Sequence, residues 1–94
     1  MEKTILALHP DPTKQGVQIE KSKYDVVRSA IIAMLKSNGS MSFTDLGNAV
    51  EDRLRKSFDG SILWYYTTVK LDLEARKEIR RVPKTSPQMI ELAG

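Results

Sequence analysis

Residues 61–82, SILWYYTTVKLDLEARKEIRRV, decide how this chain folds. At about 100° per residue, Ile62, Tyr66, Val69 and Leu73 fall in one narrow stripe, the mark of a helix with a buried side. Trp64, Leu71 and Ala75 fall nearly opposite, with Thr68 beside them. Ser61, after the Phe58-Asp59-Gly60 break, is placed to cap the helix. From Glu78 the period changes, and Glu78-Ile79-Arg80-Arg81-Val82 reads as a strand. The stretch therefore predicts a helix with oily side chains on front and back, running into a strand.

Working outward, Pro83-Lys84-Thr85-Ser86-Pro87 is a proline-punctuated loop, and Gln88-Met89-Ile90-Glu91-Leu92 can return as the paired strand. Upstream, Leu46, Val50 and Leu54 form the stripe of a second helix. Thr44 is its expected cap, and Asp45 in its first turn suits the positive end of the dipole. Gly47 weakens that helix by about 1 kcal/mol relative to Ala, so close packing is expected there. Met41-Ser42-Phe43 allows no more than a one-rung strand. A first helix over residues 22–37 carries Tyr24, Val27, Ile31, Met34 and Leu35, with Ser22 and Asp25 resembling a capping box. Asn38-Gly39 stops it.

Residues 1–20 read as an extended arm. Pro10 and Pro12 exclude helix, and residues 16–20 alternate apolar and polar like a short strand. The expected fold is α+β, mainly α: a winged helix-turn-helix of three helices plus a C-terminal β-hairpin wing. The arm, 1–20, is expected to pack on a winged-helix domain, 21–94. A plain three-helix bundle with a loose tail is the competitor, and the alternating segments at residues 79–82 and 89–92 favour the hairpin.

Ninety-four residues make one domain, large enough to fold without staples. There is no cysteine, which excludes a disulfide framework and suits a reducing cytoplasm. The apolar run from Ile5 to Leu8 is too short for a signal peptide, and the run from Ala30 to Leu35 is closed by Lys36, so no membrane span is expected. Net charge is +3, with local excesses in residues 21–40 and 61–94. A phosphate-binding surface would cluster its cations more tightly.

The segments HPDPTKQGVQIEKSKYDVVRSAI (9–31), MSFTDLGNAVEDRL (41–54) and WYYTTVKLDLEARKEIRRVP (64–83) resemble a family of small, uncharacterised bacterial proteins with a winged-helix-like fold. That resemblance implies the fold and carries no activity and no functional residues. LEARKEIRRVP (73–83) is also similar to the end of the third helix and first wing strand of winged-helix transcription regulators, which implies that Leu73 and Ile79 are core. Those regulators often have Gly and an apolar residue where this chain has Lys77 and Glu78.

Two surfaces then compete for function. A helix that reads DNA needs Arg, Lys, Asn or Gln toward base edges, and off its stripe helix 3 offers Lys70 with Thr67. The wing adds Lys77, Arg80, Arg81 and Lys84, which could straddle a phosphate backbone or simply solvate a hairpin. Duplex DNA is thus one candidate partner. The other is a protein, most simply a second copy of the chain, seated on Trp64 and Leu71. Alternatively the arm's own Ile5, Leu6, Val17 and Ile19 fold over that patch. Tyr65 and Tyr66 are expected half-buried with wet hydroxyls. His9 reads as a lone turn histidine, since no set of metal ligands accompanies it. The carboxylates Glu51-Asp52 and Asp72–Glu74 look like solvated helix faces, so neither catalysis nor a cofactor is expected.

Overall fold

A computed structural model describes residues 3–84 and 86–93; Met1, Glu2 and Gly94 of the expected segments and Thr85 of the expected loop lie outside it. The chain is a small α+β domain of three helices and two small antiparallel sheets. Strand β1 (Thr4–Ala7) pairs with β2 (Val17–Glu20) in a hairpin. Helix α1 (Lys21–Asn38) leads into β3 (Ser40–Ser42), then α2 (Phe43–Leu54) and α3 (Ile62–Ala75). Strands β4 (Ile79–Arg81) and β5 (Met89–Leu92) follow, and the second sheet runs β3-β5-β4.

The expected stripes form the core. Val27 and Ile31 of α1, Leu46 and Val50 of α2, and Val69 and Leu73 of α3 are fully shielded, joined by Ile79 and Ile90 from the second sheet. Each such side chain contributes about 1.5–3 kcal/mol by leaving water. Gly47 behaves as expected: a Cβ there would lie 2.8 Å from Cε2 of Tyr66, so α2 and α3 approach through the missing side chain. The Tyr66 ring lies 5.2 Å from that of Phe43 and its hydroxyl donates to the Phe43 carbonyl at 2.7 Å. Tyr66 is therefore buried and internally bonded, not wet; Tyr65 is half-buried.

Caps differ in two of three places. Ser61 does cap α3, accepting from the Trp64 N–H at 3.3 Å. On α2 the cap is Ser42 instead of Thr44, because the Ser42 hydroxyl accepts from the Asp45 N–H at 3.0 Å. Helix α1 starts at Lys21, ahead of Ser22, with Glu20 at its N-cap and no side-chain cap. The reason is the first sheet. The Lys21 N–H donates to the Lys3 carbonyl at 2.9 Å, so β2 passes into the helix without a loop.

At the other end of α3, the Lys77 N–H donates to the Glu74 carbonyl (3.1 Å) and the Glu78 N–H to the Leu73 carbonyl (2.9 Å), a Schellman closure. Lys77 takes φ 64° to make it, a left-handed conformation that Gly enters freely. Replacing Lys77 by Gly is expected to raise stability by about 0.5–1 kcal/mol, after the entropy of the freer unfolded chain is counted. The urea midpoint is the measurement, and a fall would contradict this account of the junction.

Candidate functional site

Helix α3 packs against α1, α2, β1 and β4, and two of its charged side chains, Lys70 and Asp72, turn inward. Asp72 is fully shielded from solvent. Its carboxylate accepts from the Leu8 N–H at 2.8 Å, from the Tyr24 hydroxyl, and from the Arg76 Nε at 2.9 Å. Arg76 in turn donates to the Leu6 carbonyl at 3.2 Å. One carboxylate thus ties the β1–β2 hairpin, α1 and the end of α3 together. The Asp72 carboxylate also holds the Arg76 guanidinium more firmly protonated than usual.

A second charged pair sits on the other flank. Lys70 is 2% exposed and pairs with Glu74 one turn on. Its ammonium donates to Gln88 Oε1 at 3.0 Å and lies 5.2 Å from the centre of the Phe43 ring. The expectation that Lys70 faces a phosphate is corrected here: Gln88, Glu74 and the Phe43 ring enclose its ammonium. The reading of Asp72 and Glu74 as solvated residues is corrected as well.

The cations of the C-terminal hairpin take different partners. Residues alternate across a strand, so Arg80 and Arg81 project from opposite faces of β4. Arg80 pairs with Glu91 at 2.5 Å on one face, and Arg81 reaches Glu74 at 3.5 Å on the other. Lys77 and Lys84 are exposed and make no ion pair among the described residues. Lys77, Arg80 and Arg81 still border one open cleft along the free edge of β4, about 470 Å³ in volume, together with Pro10, Glu74 and Ile79, and Lys84 is not among its walls.

Through residue 71, what α3 shows to solvent is uncharged. Over residues 62–71 its exposed and half-exposed positions are Ile62, Leu63, Trp64, Tyr65, Thr67, Thr68 and Leu71. Leu63 is 46% exposed and Trp64 48%. The β1–β2 hairpin covers the lower end, where Ala7, Gly16 and Val17 form a cleft with Thr68 and Leu71. It stops short of Trp64. The Trp64 ring stands edge-on to Tyr65 at 5.0 Å, braced but uncovered. The two predicted interaction residues thus differ: Leu71 is half-covered by the chain's own hairpin, and Trp64 is not.

Beside Trp64 lies a cleft of about 220 Å³ between α2 and α3, walled by Phe43, Thr44, Asn48, Leu63 and Thr67. Neither this cleft nor the buried role of Asp72 was read from the sequence. A hint to the latter lay in the Lys70/Glu74 and Asp72/Arg76 spacings, but such pairs occur equally on wet helices.

His9 sits in its turn, with Nδ1 accepting from the Asp11 N–H at 3.0 Å. Hydrogen bonds from Thr13 hold the Asp11 carboxyl below its ordinary range. Among the described residues no three His, Asp or Glu side chains gather in a way that could hold a metal. No helix among them is long and apolar enough to cross a membrane.

The buried phenols give a pH signature. Burial, and then its hydrogen bond to Asp72, pushes Tyr24 well above the usual 10.0; burial does the same for Tyr66. Raised folded-state values mean the unfolded chain ionises first, so this stability is complete below pH 10 and declines as pH rises further. The decline is expected to approach about 1.4 kcal/mol per pH unit for each tyrosine. Urea midpoints across this range should fall less steeply in Tyr24→Phe and Tyr66→Phe; an unaltered slope would contradict the assignment.

The sequence profile of DUF6958, a family of unknown function, matches residues 4–90, and the chain belongs to that family. A comparison with curated proteins finds no match.

Proposed function

We propose that the chain is a non-enzymatic winged-helix module of the bacterial cytoplasm that docks another protein on the outward face of α3. The order helix, short strand, helix, helix, hairpin, with the sheet running β3-β5-β4, supports the winged-helix reading. One observation carries the docking reading: ten residues of α3, 62–71, expose no charged side chain in a chain that is 29% charged. Interface cores are depleted of charge and enriched in aromatics, and Trp is the residue most often found at their energetic centre.

Duplex DNA is the second reading. Its support is the basic wing, with Lys77 and Lys84 unpaired among the described residues and Thr67 on the exposed face of α3. Against it stand the burial of Lys70 and the pairing of Arg80 with Glu91 and of Arg81 with Glu74, although Lys77, Arg80 and Arg81 border one cleft. Such binding would be phosphate-led and steeply salt-sensitive. Neither reading calls for a cofactor, a metal or a membrane.

A benzophenone side chain in place of Thr67, irradiated in cells making the full chain, tests the choice. Covalent adducts with protein are expected. Adducts with nucleic acid alone, or no adduct at all, would overturn the docking reading.

A further inference from the structure

We infer that the partner is a second copy of this chain, docked across a two-fold axis so that Trp64 of each copy enters the cleft between α2 and α3 of the other. The inference rests on the docking reading and specifies its partner. It comes from a knob and a hole lying side by side on one face. Trp64 projects, 48% exposed and braced edge-on by Tyr65. Leu63, the adjacent residue, forms a wall of the neighbouring cleft, about 220 Å³ in volume. On the helix, Thr67 falls between the directions of Leu63 and Trp64. An axis passing near Thr67 therefore carries each indole across to the other copy's cleft, and two identical knob-and-hole contacts close the pair.

The chemistry of the cleft fits an indole. Its Phe43 and Leu63 walls are apolar, while Thr44, Asn48 and Thr67 provide acceptors at the rim for the one indole N–H. The charge pattern fits a copy better than an unlike protein. A two-fold interface sets each residue near the axis against itself, so a charge there would face its own sign. A face free of charge along three turns of α3 satisfies that condition, although the chain as a whole is +3. Lys70 and Glu74, which would otherwise border the face, are drawn under the wing.

Sedimentation equilibrium of the full chain over micromolar to millimolar concentration tests the inference. The wild type is expected to approach twice its monomer mass. Trp64→Glu, which removes the knob, should weaken association at least about 30-fold, as loss of a central aromatic does. Asn48→Trp fills the hole with Trp64 intact and should weaken it similarly. Both positions are exposed, so thermal melting of each variant monomer should match the wild type. A monomer at all concentrations, with protein adducts at position 67 reaching other chains, would overturn the copy and leave the docking reading standing. A dimer that survives both substitutions would also overturn it. Absence of any protein adduct at position 67 would remove both.

Discussion

Asp72→Ala is expected to lower the stability of the domain by roughly 3–5 kcal/mol, chiefly because two shielded donors lose their acceptor. The carboxylate is fully buried and serves three donors from three elements. Its loss leaves the Leu8 N–H and the Tyr24 hydroxyl without an acceptor, and each unsatisfied buried group costs about 1–3 kcal/mol. Arg76, partly exposed, can turn to water, so its share is small. In a domain of this size the melting temperature should drop by at least about 12 °C. Asp72→Asn distinguishes shape from charge: it keeps one acceptor but presents a donor toward Leu8 or Arg76, and should recover only part of the loss. A drop within about 1 kcal/mol for Asp72→Ala would mean that the carboxylate does not hold the hairpin to α1 and α3.

The second large effect is on the opposite flank. Glu74→Ala leaves Lys70 buried without its counter-ion and should cost about 3 kcal/mol, the low end of the range, because Gln88 and the Phe43 ring still face the ammonium. Lys70→Met with Glu74→Leu should restore most of that loss or exceed the wild type, since apolar replacement of a whole buried pair is often neutral or stabilising. Equal urea midpoints for Glu74→Ala and the wild type would contradict the burial of this pair. The double variant also serves the functional question. If Lys70 contributes nothing to a partner surface, the double variant associates as the wild type does.

These two pairs mark the boundary of what the sequence could disclose. The apolar stripes of all three helices, the C-terminal hairpin, the Ser61 cap and the close approach at Gly47 follow from short-range rules, and the structure has each of them. The direction of the polar residues on α3 does not follow from such rules. A Lys and a Glu four apart, or an Asp and an Arg, look the same on a wet helix and on a buried one. What turns them inward is chain far away: Tyr24 and Leu8 are 48 and 64 residues from Asp72, and Gln88 is 18 from Lys70. The start of α1 escapes short-range rules for a similar reason, since pairing between β1 and β2 fixes Lys21 before any cap is needed. Arg80 and Arg81 look like free cations in the sequence, but the two-residue period of a strand gives each its own carboxylate, Glu91 and Glu74. The candidate face was half legible. Trp64 and Leu71 were readable as a second apolar side, but the cleft beside Trp64 needs α2 and α3 in register, which only the fold supplies.

The emission of Trp64, the only tryptophan in the chain, asks the decisive question of α3: whether its oily outward side meets protein or stays in water. Followed in the full chain from low micromolar concentration upward, the spectrum should begin at the red position of a wetted indole and move to the blue as copies associate, unchanged by added duplex DNA. A spectrum indifferent to concentration, yet quenched or shifted by DNA at low salt, would contradict the account.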